Sequence, residues 1–295
     1  MTGWDDPALA AATASLDDSA DLPADFAGAL TAARTVLAES RAEPEVRSLR
    51  VEVLAEHLVG HGARITGQAM DDVDAELFLL AGAVAVREAK VIAESAAGEA
   101  PGERAAEPTA RMVHAYLRRA VGPLTHAAEL IEADPVPHDL LQWVTAVLTP
   151  KERDRAWERA IRRAPRLYSA HRTRLDLLPA EQALAFARAT ARAAGSGDPR
   201  IALVAHAHFR LCARLAADYR AKGKTGDGAE RHAAWEYFGR TASPIRTEIA
   251  ALSQRFLAAA RPHPRTPQAH RLFAAAFTAM SSPEQAEPHV AALGR

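Results

Sequence analysis

Proline and glycine cut this chain into short apolar-periodic stretches, and the period in each is that of a helix. Phe26, Leu30, Ala33 and Leu37 share one face of a segment running from about 24 to 39. Pro44 stands where prolines open helices, and Val46, Leu49, Val53 and Leu58 carry the stripe to a stop at Gly60 and Gly62. Thr149-Pro150-Lys151-Glu152 joins a capping box to proline at the first helical position. No segment alternates apolar and polar residues for long enough to argue a sheet. Aromatic residues make up only 5% of the chain while alanine is abundant, which favours helices packed closely through small side chains. The fold class expected is all-α.

The same punctuation places further helices at 75 to about 94, 136–148, 149–164, 167–178, 179–194, 199–222, 229–241, 244–260 and 267–280. A helix over 109–132 is expected to break at Gly122-Pro123, because proline lacks the amide donor and clashes with the preceding turn. The segment 77–86 is apolar all round and belongs in the middle of a core. The domain plan is a loosely structured lead over 1–23, with a short helix near 7–15, and a single all-helical domain over 24–295 with a mobile loop near 95–108.

Junctions recur. Ala133-Asp134-Pro135, Arg163-Ala164-Pro165 and Gly197-Asp198-Pro199 close successive units spaced 30 and 34 residues apart. A period near 34 residues with two helices per unit marks tetratricopeptide-type repeats. Trp157, Ala160 and Pro165 match the second helix of that module: a bulky residue, a small one three later, a proline five beyond. Phe78, Ala81, Gly82 and Ala85 resemble its first helix, where small residues admit a close neighbour. The chain therefore resembles a divergent tetratricopeptide-like superhelix of about six helix pairs. Blocks at 79–89, 127–137, 156–171 and 273–293, with Ala279-Met280 and Glu287-Pro288 in the last, are also similar to a poorly characterised family of helical proteins from high-GC bacteria. That resemblance implies a fold and no mechanism.

Charge is unevenly spread. Residues 1–100 hold 18 acidic and 7 basic side chains, a net of −11, whereas the remainder holds 19 and 29, a net of +10. Such a split supports contact between the two ends, between copies, or with an acidic partner. The opening residues have no basic region of the secretory kind, and the longest apolar run is half of what a membrane-spanning helix needs. Cys212 is the single cysteine, so neither an intrachain disulfide nor a cysteine-based zinc cluster is available. These features favour a bacterial-type cytoplasm and no membrane partner.

Four motifs invite a functional reading. Asp71, Asp72, Asp74 and Glu76 resemble a magnesium site, but Ala75 fills the slot that the required spacing reserves for a carboxylate; a capped helix N-terminus explains them better. His57 and His61 are four apart, yet Leu58 stands where a metalloprotease carries glutamate, and a last helical turn suits histidines equally well. His208 and Cys212 share the seam of Val204, Leu211 and Leu215, where a thiol is buried and inert and no orienting acid is evident, while His206 falls off that seam onto the surface.

The fourth is the basic run. Between Lys151 and Arg174 there are nine basic and three acidic side chains. Ala156, Trp157, Ala160 and Ile161 define the buried stripe, leaving Arg155, Arg159, Arg162 and Arg163 on the opposite face, with Arg166 and Arg172 continuing the patch. This face suits phosphate groups or an acidic protein segment, unless pairs such as Glu158 with Arg162 neutralise it. Few aromatics accompany it, which disfavours nucleic acid. The expectation is a non-enzymatic interaction module, without metal or cofactor, binding an acidic protein or peptide or a second copy of itself. The competing class is an enzyme with a pocket inside the superhelix, where His57, His61, His114, His126 or His208 converge, metal-dependent if they meet at one point.

Overall fold

A computed structural model describes residues 6–19, 23–98, 103–144, 149–224, 227–240, 242–259 and 262–294. Among the described residues every regular element is helical. In chain order the α-helices are α1 (Pro7–Ser19), α2 (Pro23–Glu39), α3 (Pro44–His57), α4 (Gly62–Asp72), α5 (Ala75–Gly98), α6 (Glu103–Leu130), α7 (Val136–Val144), α8 (Pro150–Arg163), α9 (Tyr168–Leu177), α10 (Ala180–Ala193), α11 (Leu203–Ala221), α12 (Asp227–Ala234), α13 (Ala242–Leu257), α14 (Thr266–Ala279) and α15 (Pro283–Leu293). A short 3₁₀ segment, Pro199–Ala202, precedes α11, and a π-helical turn, Trp235–Arg240, follows α12. Contacts divide the chain into two compact units, Asp6–Arg174 and Leu175–Arg295, with the division falling inside α9. Sequence reading drew a single domain over 24–295.

The first unit is organised around α5, as its all-round apolarity requires. Leu77, Leu79, Leu80, Val84 and Val86 are buried in one cluster with Leu37, Leu54, Ile65, Leu117 and Leu124. Helices α5 and α6 approach closely at Gly82. A Cβ placed on Gly82 would lie 2.4 Å from Leu124 Cγ, so only glycine admits this helix separation. That packing also corrects the expected break at Gly122-Pro123. Helix α6 runs through both Pro108 and Pro123 without interruption. Ala120 and Leu124, both fully buried, clamp the helix to α5 on either side of the proline and outweigh its cost of about 3 kcal/mol.

Other boundaries differ for local reasons. The segment 62–72, to which no helix is assigned from sequence, is α4, held by buried Ile65 and Ala69. It stops at Val73, which takes a left-handed φ of 49°. Asp74 then accepts from the amides of Glu76 and Leu77 and caps α5, whereas Asp71 and Asp72 close α4 and Glu76 is paired with Arg47 and Arg41. The lead is more ordered than expected, because α1 buries Leu9, Ala12 and Leu16 in the main core. Helix covers both flanks of the expected loop at 95–108, and 99–102 lie outside the described residues.

A buried ion cluster ties this unit together, and nothing in the sequence announced it. Arg47 on α3 is 1% exposed. Its Nε donates to Asp134 Oδ2, its Nη2 to Glu76 Oε2 and its Nη1 to the Leu37 carbonyl, each at 2.6 Å. Arg41 adds a second donor to Glu76. One guanidinium thus joins the end of α2, the start of α5 and the turn between α6 and α7.

In the second unit, Ile201, Leu203 and Val204 are buried at the start of α11, and Phe256, Phe273 and Phe277 surround His289. His289 accepts or donates to Ser253 Oγ at 2.7 Å and meets His270 Nδ1 at 2.9 Å, joining α13, α14 and α15. Helix α15 lies beyond the last helix expected and contains Pro288; buried Ala286 and His289 hold it in place. The helix expected over 229–241 is instead α12 followed by the π-turn.

Candidate functional site

The basic face is carried by α8, whose start follows from sequence. Thr149 and Glu152 form the expected reciprocal capping box, with Pro150 next in the chain. Ala156 and Ala160 are buried, while Trp157, half-buried rather than fully so, sets its ring at right angles to His171, 5.1 Å between centroids. That phase leaves Arg155, Arg159 and Arg162 exposed on one face, and Arg166 exposed in the turn that follows.

None of these four guanidinium groups makes an ion pair within 4.0 Å with a described residue. The neutralising pair expected between Glu158 and Arg162 is not formed. Elsewhere Arg50 is engaged by Asp6, Arg87 by Glu56, Arg174 by Asp154 and Arg188 by Glu248, while Arg118, Arg192, Arg231 and Arg271 are also exposed without an ion pair to a described residue. The other two residues of the predicted patch have partners within this unit. Arg163 donates to the carbonyls of Glu132 and Arg159, bracing α8 against the end of α6. Arg172, on α9, lies 3.6 Å from Glu52. Glu45 likewise accepts from the Tyr168 amide, so part of the acidic first hundred residues is consumed inside this unit.

Behind the face sits His138 of α7, which sequence reading passed over. It is 4% exposed, and neither ring nitrogen has a hydrogen-bond partner. Burial, reinforced by the charges of Arg163 and Arg159, pushes its pKa down to about 4. The imidazole is therefore neutral at physiological pH and adds no charge to the patch.

The histidines proposed to converge do not share one point. His57 ends α3, and His61 lies across the following turn against Phe26, 5.1 Å between centroids. His126 contacts Phe78 and Glu129, and His114 is exposed on α6. Among the described residues no group of three or more His, Cys, Asp or Glu side chains is placed to hold a metal ion. A cleft of about 170 Å³ beside Arg34 and Asp72 falls below the size of ordinary small-molecule sites.

His208 has different company, within the second unit. Its Nδ1 meets the Tyr237 hydroxyl at 2.8 Å and its Nε2 meets Glu248 Oε2 at 3.2 Å. Arg188 grips the same carboxylate with two hydrogen bonds, at 2.7 and 2.8 Å. The orienting acid judged missing is thus present, 40 residues downstream on α13. His208 is bonded to the phenol and not to Cys212, whose thiol burial pushes up. His206, expected at the surface, is half-buried and bonded to Asp176 at 2.6 Å. No spacing rule connects 208 with 237 and 248; only the turn between α12 and α13 brings them together.

No family model, curated protein or solved structure matches this chain. Among the described residues, no helix is long and apolar enough to cross a membrane.

Proposed function

We propose that the chain is a helical scaffold whose α8 face recruits an acidic peptide or protein segment, on a tetratricopeptide-like superhelix of paired helices. The supporting observation is the set of exposed guanidinium groups at Arg155, Arg159, Arg162 and Arg166 that form no ion pair within 4.0 Å with a described residue. Arginine presents planar donors matched to carboxylates, and on an exposed surface it is usually engaged where an acid is in reach. Magnitudes limit the role of charge. Exposed pairs contribute about 0.2–1 kcal/mol each, so four supply about 2 kcal/mol, well short of the ~8 kcal/mol of a micromolar complex. Charge therefore steers and orients the partner, while apolar contact supplies most of the affinity.

The test uses a short fluorescent peptide alternating glutamate with leucine, titrated with the full chain. Reversing Arg155, Arg159 and Arg162 to glutamate exchanges three attractions for three repulsions, about 3 kcal/mol, and raises Kd at least thirtyfold. Unchanged binding by the reversed variant refutes the reading. Sedimentation at low and high salt assigns the acidic partner: a salt-sensitive dimer lost in the variant makes it a second copy of this chain.

A further inference from the structure

We propose that Tyr237 is a nucleophile toward small acyl esters, with His208 as its general base and Glu248 as the group that orients that base. The protonation pattern is forced by the partners. Hydrogen bonds from Arg188, joined by one from His208, hold the Glu248 carboxyl below its usual range, so it is ionised and can only accept. His208 Nε2 must then carry the ring proton and donate to it, 3.2 Å away. That leaves Nδ1 with its lone pair directed at the Tyr237 hydroxyl, 2.8 Å away, which donates. Burial pushes the phenol up to about 12 and the imidazole down, so at neutral pH the phenol holds its proton and the ring is free to take it.

This is the connectivity of an acid–base–nucleophile relay, with phenol in place of hydroxyl or thiol. The groups come from four elements: Arg188 from α10, His208 from α11, Tyr237 from the π-turn and Glu248 from α13. Their roles differ in accessibility. His208 is 2% exposed, whereas Tyr237 is only partly buried. A π-turn inside a helical run is itself a feature found often at functional sites, because it costs helical stability. A purely structural network would leave the phenol unreactive, and that difference is measurable.

In the step proposed, Tyr237 Oη forms a bond to the acyl carbon while His208 Nδ1 takes the phenolic proton. The bond from carbon to the leaving oxygen breaks, and that oxygen receives the proton from His208. Water then attacks the tyrosyl ester with His208 as base, releasing the carboxylic acid and restoring the phenol. Nothing is oxidised or reduced.

The probe is p-nitrophenyl acetate with the full chain, read by nitrophenol release and by peptide mass spectrometry. Acetyl is expected on Tyr237 in preference to Tyr116, Tyr168 and Tyr219, at a rate that rises with pH as His208 sheds its proton, with Glu248, Arg188 and Cys212 as the charged and titratable groups around it. Tyr237→Phe, which removes one oxygen and keeps the ring packing, is expected to lower release at least tenfold. His208→Gln is expected to abolish both the labelling and the pH dependence. Acetyl on Cys212 instead of Tyr237, no label on Tyr237, or wild-type release by Tyr237→Phe would each overturn the proposal.

Discussion

Replacing Arg47 with methionine tests how the first unit is held together. The substitution keeps the stem that packs between α2, α3 and α5 and removes only the guanidinium. Three contacts of 2.6 Å are lost, two of them to carboxylates as buried as Arg47 itself. Asp134 keeps the Val136 amide, and Glu76 keeps Arg41, which is half exposed and a poorer substitute. Breaking a buried ion pair from one side costs about 3–5 kcal/mol, because a charge is left in the interior uncompensated. Against the 5–15 kcal/mol typical of whole domains, the unit should melt roughly 10 °C lower. The assay is urea denaturation followed by circular dichroism and by tryptophan fluorescence from Trp143 and Trp157. Adding Glu76→Gln and Asp134→Asn to the methionine variant should restore more than half of the loss, since a buried amide costs less than a buried charge. A single variant within about 1 kcal/mol of the parent would mean that the cluster contributes no net stability, and the account of this core would be wrong.

Two further perturbations bear on packing and on pH. Gly82→Ala forces Leu124 away from α5 and should cost about 1–3 kcal/mol in the same urea assay, whereas an unchanged midpoint would show that the helices are not in contact there. Burial, joined for His289 by the neighbouring His270, holds His289 at about 4, as burial and two arginines hold His138. A histidine depressed on folding contributes stability that is complete above its unfolded pKa near 6.5 and is lost as pH falls toward 4. His289 alone should withdraw about 3 kcal/mol by pH 4. The melting temperature should be flat above pH 7 and fall steeply between 6 and 4, less so in His289→Leu; equal values at pH 7.5 and 4.5 would contradict the buried, neutral assignment.

What the sequence disclosed was whatever depends on near neighbours. The capping box at Thr149, the cap at Asp74, the central place of α5 and the small residue at Gly82 all follow from spacings within a few turns. The phase of α8 was legible for the same reason, and with it the exposure of Arg155, Arg159 and Arg162. Long-range pairings were not. Arg47 reads as one charge among many on a weakly amphipathic segment, and its partners lie 29 and 87 residues away. Arg163 and Arg172 look like free members of the basic run until Glu132 and Glu52 are brought beside them. Proline misled at Pro123, because local rules weigh a lost hydrogen bond without the tertiary contacts that offset it. The relay at His208 was half visible: its seam was located, but the acid and the phenol arrive from elements that no periodicity links to it.

The most direct test of the proposed recruitment is hydrogen exchange by mass spectrometry on the full chain, with and without the acidic peptide. The α8 amides and the turn through Arg166 should exchange more slowly in the complex, at low salt and not at high salt, since screening shortens the reach of these charges to about 8 Å at physiological ionic strength. Protection that appears instead around Arg210, Arg214 and Arg220 of α11, or nowhere, would contradict the assignment of the binding face to α8.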